Sequence, residues 1–158
     1  MSRAVPASAQ LPDKWRKLAE DRCAEMGARL TPARLAAYAE LVACDRALSA
    51  YELVSLLEQR QERKIAPLTA YRHLEFLINV GLVHRLESAQ SYLPCAHPGH
   101  DHVSQYLLCT DCGMVNETDS EKFETLLNEI TEEQGFVPHN SVIEVAGLCR
   151  NCASKPES

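Results

Sequence analysis

Four amphipathic helices are predicted in the first half of the chain, where apolar residues recur every three or four positions. The first covers about 14–26, with Trp15, Leu18 and Cys23 on its apolar side. The boundary signals of the four helices are Gly27 after the first, Thr31-Pro32 before the second, the capping box Ser49-Ala-Tyr-Glu52 before the third, and Pro67 and Gly81 around the fourth.

The fourth helix, over about 67–80, divides into two faces. Its apolar residues lie along one face, which we expect to be buried: Leu68, Tyr71, Leu74, Leu77 and Ile78. The opposite face points outward and carries Thr69, Arg72, His73, Phe76 and Asn79. Two short apolar runs around the polar turn 87–90 then predict a β-hairpin.

Several short helices followed by a hairpin predict a winged helix-turn-helix, in which the last helix enters the major groove of DNA. A small helical bundle without any ligand would show the same helix pattern. Arg72 favours the DNA-binding interpretation, because an outward arginine on this helix can bind guanine edges or a phosphate.

A further helix and a strand are predicted in the last third of the chain. Thr118 and Glu121 match a second capping box, and an apolar stripe follows it before Gly135: Phe123, Leu126, Leu127 and Ile130. Residues 141–145 favour a strand. The predicted fold class is therefore α+β.

Two C-x-x-C pairs, Cys109/Cys112 and Cys149/Cys152, flank this region. Each pair places two sulfurs on one tight turn, and four thiolates closing around Zn²⁺ make a structural site with no open position. A single pair can be a redox dithiol, but two pairs at the edges of one small domain favour zinc. Such a site stabilises a domain whose core is small.

Charge is distributed unevenly around residue 90. Residues 1–90 carry 13 Lys and Arg against 11 Asp and Glu, whereas residues 91–158 carry 3 against 11, within a net charge of −6. This break separates a neutral-to-basic module from an acidic one. No apolar run is long enough to cross a bilayer and the first residues resemble no secretion signal, so we expect a cytoplasmic protein with reduced cysteines and no membrane partner.

Other groups that can bind a metal gather around the same break: His84, Cys95, His97, His100, Asp101, His102 and Glu117. A lone histidine is usually structural, and this is the better interpretation of His73 and His97. The remaining mixture of one thiol, several imidazoles and a carboxylate suits a tetrahedral zinc better than a hard, oxygen-preferring ion.

The combined motifs resemble the ferric uptake regulator family over about 15–152, and within it the members that regulate zinc uptake. The motifs that carry this resemblance are Gly27-Ala-Arg-Leu-Thr-Pro-Ala-Arg34, Ser49-Ala-Tyr-Glu-Leu53, Thr69-Ala-Tyr-Arg-His-Leu-Glu-Phe-Leu77 and the two C-x-x-C pairs. The zinc-type signatures are Val83-His-Arg85, Ser91-Tyr-Leu-Pro-Cys95, Val115-Asn-Glu117 and Val142-Ile-Glu-Val-Ala-Gly-Leu-Cys149.

This resemblance implies a homodimer whose N-terminal winged-helix domain binds a palindromic, double-stranded operator. It also implies a C-terminal α/β dimerisation domain, and a transcriptional regulator, chiefly a repressor, of zinc-uptake genes. We expect a disordered tail at 1–10, the winged-helix domain at 11–94, a hinge at 95–102 and the dimerisation and metal-binding domain at 103–153.

The resemblance also implies site residues, with about two Zn²⁺ per subunit. The structural zinc falls on Cys109, Cys112, Cys149 and Cys152, and the regulatory zinc falls on His84, Cys95, His102 and Glu117. The DNA-contacting positions fall on Tyr51, Thr69, Tyr71 and Arg72. A third site present in some members would draw on His100 or Asp101, Glu124 and His139, where the spacing departs from the family pattern.

Three other functions remain open at this point. A zinc hydrolase needs an open metal position and a general base; Glu117 could be that base, but the chain has no H-E-x-x-H motif, so we expect no enzyme. A winged-helix protein with structural zinc alone would hold one zinc per subunit. An iron or peroxide sensor is disfavoured by Cys95, since a thiolate favours zinc and is prone to oxidation beside iron.

Overall fold

The computed structural model describes residues 11–44, 46–99, 103–118, 120–138 and 141–154. The expected tail at 1–10 lies outside them. The elements, in chain order, are α1 (Asp13–Glu25), α2 (Pro32–Ala43), α3 (Ala50–Gln61), α4 (Pro67–Asn79), β1 (Val83–Leu86), β2 (Ser91–Pro94), β3 (Ser104–Cys109), β4 (Val115–Thr118), α5 (Glu121–Glu133), β5 (Val142–Gly147) and α6 (Arg150–Ala153). The chain divides between Gly99 and His100 into two compact units. The mixture of helices and sheets confirms the α+β class.

The helices of the first unit begin where capping residues satisfy free backbone N–H groups. Thr31 Oγ1 accepts a hydrogen bond from the Arg34 N–H at the start of α2. The predicted capping box of α3 is confirmed, with Ser49 Oγ accepting from the Glu52 N–H and the Glu52 carboxylate accepting from the Ser49 N–H at 2.8 Å. An Arg46 guanidinium beside Glu52 holds the pKa of that carboxyl at about 2.

An aliphatic core fills the space between the four helices and the hairpin. Its fully buried members include Tyr38, Leu41, Leu53, Leu74, Leu77 and Leu82. Trp15 of α1 packs edge-on against Tyr38 of α2, with ring centroids 6.2 Å apart. The Arg22 guanidinium also ties α1 to the end of α4, because its Nε donates to the Val80 carbonyl at 2.9 Å. These contacts hold α4 on the first unit while leaving one of its faces outward.

The inward face of α4 differs from the predicted one. The buried residues of this helix are Ala70, Leu74 and Leu77, spaced by four and three positions. Leu68 and Tyr71, which were expected in the core, are 60% and 43% exposed. Because small Ala70 occupies the core position of the first turn, the larger apolar residues on either side of it point into solvent.

The hairpin that follows α4 is the predicted wing. Strands β1 and β2 pair antiparallel, with Val83 opposite Pro94 and Leu86 opposite Ser91. A backbone bridge between Leu48 and Tyr92 attaches β2 to the segment before α3. Helices α2 to α4 and this hairpin together make a winged helix-turn-helix.

The second unit is built on a three-stranded sheet with the order β4-β3-β5. Strand β3 pairs antiparallel with β4 and parallel with β5, and α5 forms the crossover between β4 and β5. The parallel register sets Cys109 opposite Gly147. This register brings the carboxyl ends of β3 and β5 to the same edge of the sheet.

The capping box expected at Thr118 and Glu121 is absent, and α5 begins after Ser120 with no side-chain cap. Thr118 is instead the last residue of β4, where its hydroxyl donates to Gln105 Oε1 at 3.3 Å. Helix α5 itself is confirmed, and its stripe is largely exposed, with Phe123, Leu126 and Ile130 each about half accessible to solvent.

Candidate metal centre and nucleic-acid interface

The four C-x-x-C cysteines come together at the carboxyl edge of the sheet. Cys109 ends β3 and Cys112 lies in the turn after it, while Cys149 precedes α6 and Cys152 lies inside that helix. Their sulfur atoms all lie within 4.8 Å of one another. Cys109 and Cys152 are buried, Cys149 is half-buried and Cys112 is exposed. This arrangement can hold one metal ion between two turns.

Backbone groups brace the two turns against each other. The Cys149 N–H donates to Cys109 Sγ at 3.3 Å, and the Cys112 and Cys149 N–H groups lower the pKa of the Cys109 thiol to about 6. Hydrogen bonding to Asp111, and then to Cys149, raises the pKa of the Cys152 thiol. One sulfur is therefore prepared as a thiolate, the form that binds zinc.

Two residues of this centre were not singled out from the sequence. Gly113, with φ 72°, closes the first cysteine turn, and its N–H donates to the Cys109 carbonyl at 3.0 Å. Thr110 donates to the Gly147 carbonyl from both its backbone N–H, at 2.8 Å, and its hydroxyl, at 3.3 Å. The glycine directly after the second cysteine was the available sequence signal for the turn.

The residues expected to hold the regulatory zinc are divided between the two units. His84 is half-buried in β1, opposite Leu93, and Cys95 is buried directly after β2, where its N–H donates to the Leu82 carbonyl at 2.9 Å. Glu117 is half-buried in β4, opposite Tyr106. His102, the fourth expected ligand, lies outside the described residues.

The third site remains a prediction. Of its expected residues, Glu124 is half-buried in α5, while His100, Asp101 and His139 lie outside the described residues.

The residues expected to contact DNA are all at the surface of the first unit. Thr69, Tyr71 and Arg72 are exposed on α4, and Tyr51 is 69% exposed at the start of α3. Arg63 and Lys64, also exposed, precede α4 in the chain. An outward helix that carries an exposed arginine, as α4 does with Arg72, has the form of a nucleic-acid recognition surface.

No helix in the described parts of the chain has the length and apolar character needed to cross a lipid bilayer.

Most of the chain is similar in sequence to proteins of one known family. The model of the ferric uptake regulator family matches residues 25–146. The zinc uptake regulation protein of Escherichia coli (strain K12) is 38% identical over 135 residues, which cover 85% of this chain and 78% of that protein. The zinc uptake regulation protein of Mycobacterium tuberculosis (strain CDC 1551 / Oshkosh) is 33% identical over 131 residues, covering 81% and 97%.

A solved structure of a zinc uptake regulator complexed with zinc and DNA matches with a TM-score of 0.81 and 35% identity, covering 91% of this chain and 95% of that one. The winged helix-turn-helix, the sheet with its crossover helix and the paired cysteine turns agree with the family match. The chain belongs to the ferric uptake regulator family.

Proposed function

We propose that this chain is a zinc-responsive transcriptional regulator, mainly a repressor of zinc-uptake genes, that binds a palindromic operator as a homodimer. The observation that carries the proposal is the presence, in one chain, of an outward recognition helix in the first unit and a four-thiol cluster in the second. The similarity to zinc uptake regulation proteins supports zinc as the metal.

Operator binding is assigned to α4 and the start of α3. Arg72 would bind a guanine edge or a phosphate, and Tyr51, Thr69 and Tyr71 would contact the same groove and its backbone. Two copies of α4 must meet successive major-groove faces about 34–36 Å apart, so a symmetric dimer reads a palindrome.

The structural zinc is assigned to Cys109, Cys112, Cys149 and Cys152. The residues fit the ion, since four sulfurs within 4.8 Å of one another match the all-thiolate site that Zn²⁺ prefers. A bound Zn²⁺ would offset part of the negative charge of the thiolates and would link the turn after β3 to the segment after β5. The Cys149 N–H would keep its bond to sulfur and orient that ligand.

A second, regulatory zinc is assigned to His84, Cys95, His102 and Glu117, which gives about two Zn²⁺ per subunit. His84 and Cys95 belong to the DNA-binding unit and the other two residues to the second unit. A metal shared by both would favour one arrangement of the units over the others, and this difference in affinity is what a switch requires. A change from mostly inactive to mostly active needs about 5.5 kcal/mol, less than one zinc site supplies.

The dimer interface is assigned to the exposed apolar face of the second unit. Phe123, Leu126 and Ile130 of α5 are each 47–52% exposed, and Val142 and Val145 of the edge strand β5 are 39% and 50% exposed. Several exposed, large apolar side chains on so small a unit are typical of a homodimer interface.

This function places the protein in the cytoplasm, where its DNA lies, and it involves no catalysis. The experiment is a gel shift on an inverted-repeat operator titrated with buffered zinc, then with iron(II) and manganese. We expect zinc to induce binding at the lowest free concentration and two zinc ions per chain in the active form. Binding without metal, or one zinc per chain in the form that binds DNA, would instead indicate a winged-helix protein with structural zinc alone.

A further inference from the structure

Leu68 is an apolar side chain left in solvent at the start of α4. It is 60% exposed, although the core positions of this helix are filled by Ala70, Leu74 and Leu77. Since the packing of the first unit does not use Leu68, its apolar surface remains available for a ligand.

The position of Leu68 places it on the face assigned to DNA. It is the second residue of α4 and lies one helical turn before Arg72, on the same side of the helix. N-terminal residues of a recognition helix are the ones that approach base edges. Exposed cations lie before and after it in the chain, Arg63 and Lys64 on one side and Arg72 on the other.

We propose that Leu68 reads a thymine of the operator through the C5-methyl group of that base. This inference rests on the proposed function and adds a base-specific contact to it. In the major groove the thymine methyl is an apolar group among the hydrogen-bonding groups of the base edges. An apolar side chain can recognise it by direct contact. Arg72, one turn further along the helix, would then hydrogen-bond to a neighbouring base or to a phosphate.

The test removes the methyl group from the DNA and its partner from the protein. Operators are first selected from random duplexes with zinc-loaded protein, and each thymine is then replaced by deoxyuridine, which lacks only the methyl. We expect one thymine per half-site at which uracil weakens binding about fourfold, and about tenfold or more when both half-sites are changed. Leu68→Ala should bind the thymine and uracil operators equally, and Leu68→Met should restore the preference.

Two matched variants separate a contact from a general effect. Leu148→Ala shortens another exposed leucine, 58% accessible and in the second unit, and should keep the full preference for thymine. Arg72→Ala should weaken binding yet keep this preference. The inference is overturned if Leu68→Ala weakens every operator by the same factor. It is also overturned if every replacement of thymine by deoxyuridine affects the unmodified chain and Leu68→Ala equally. Absence of zinc-dependent binding by the unmodified chain would refute the proposed function instead.

Discussion

Replacing Cys152 with serine tests the structural zinc most directly. Cys152 is buried in α6, and its sulfur belongs to the group of four that lie within 4.8 Å of one another. Serine keeps the size of the side chain but replaces a thiolate by a hydroxyl, which is a poor zinc ligand at neutral pH. We expect the variant to lose one zinc per chain.

The core of the second unit indicates how far the loss of zinc should destabilise this unit. Within its described residues, the large apolar side chains that are buried are Tyr106 and Leu108. At about 1.5–3 kcal/mol each, they supply roughly 3–6 kcal/mol, whereas a structural zinc supplies roughly 10–16 kcal/mol. Because the metal contributes more than the core, its loss should unfold the second unit. The first unit has its own aliphatic core and should stay folded.

The measurement combines metal content with a probe for each unit. Zinc per chain is determined by mass spectrometry, and Trp15, the single tryptophan, reports the first unit by fluorescence. Amide exchange of β3 and β5 reports the second unit. The control is Cys44→Ser, which changes a half-buried thiol of the first unit outside the cluster and should keep its zinc. Full zinc content and protected β3 amides in Cys152→Ser would refute the reasoning.

Three further predictions concern the DNA surface, the regulatory site and the α3 cap. Arg72→Ala should weaken operator binding by about 1–3 kcal/mol and relax the preference only at the base that Arg72 contacts, as measured by anisotropy on matched operator and random duplexes; equal losses on both would identify a phosphate contact alone. Cys95→Ser should abolish the zinc dependence of operator binding while gel filtration still shows a dimer, and an unchanged zinc titration would remove Cys95 from the regulatory site. The Arg46 guanidinium and the Ser49 N–H depress the pKa of Glu52 to about 2, so its contribution to stability is complete above pH 4.5 and is lost as the pH falls towards 2. In urea melts followed by Trp15 fluorescence between pH 6 and 3, the unmodified chain should therefore lose more stability than Glu52→Gln, and parallel losses would contradict this assignment.

Local signals in the sequence predicted the first unit well. Thr31-Pro32 and the Ser49–Glu52 box specify helix starts through hydrogen bonds that span three residues, and both are present in the structure. The hairpin was found because its two strands are adjacent in the chain. The predicted partition of α4 was less accurate, because periodicity weights side chains by hydropathy and so assigned Leu68 and Tyr71, rather than small Ala70, to the core.

Equally local signals gave a wrong prediction at the start of α5, where a residue pairs with a strand that lies far away in the chain. Thr118 has the right spacing from Glu121 for a cap, yet its hydroxyl donates to Gln105 of β3, 13 positions earlier in the chain. Strands β3 and β4, which flank the first cysteine turn, were not predicted as elements. Their identity depends on pairing with each other and with β5, and such pairing leaves little periodicity to read.

The cysteine cluster depends both on the spacing of the cysteines, which the sequence shows, and on the register of the sheet, which the sequence does not show. The C-x-x-C spacing predicts two turns with two sulfurs each, but spacing alone does not determine whether the turns meet. They meet because β3 and β5 are parallel and Cys109 lies opposite Gly147, so that Cys149 follows two residues beyond the same edge. Thr110, bonded twice to the Gly147 carbonyl, holds that register at the metal centre. A shift of one residue along β5 would turn its side chains to the other face and separate the two pairs of thiols. The proposed structural zinc would therefore depend on the register of the sheet, and the sheet, with its small core, would depend in turn on the zinc.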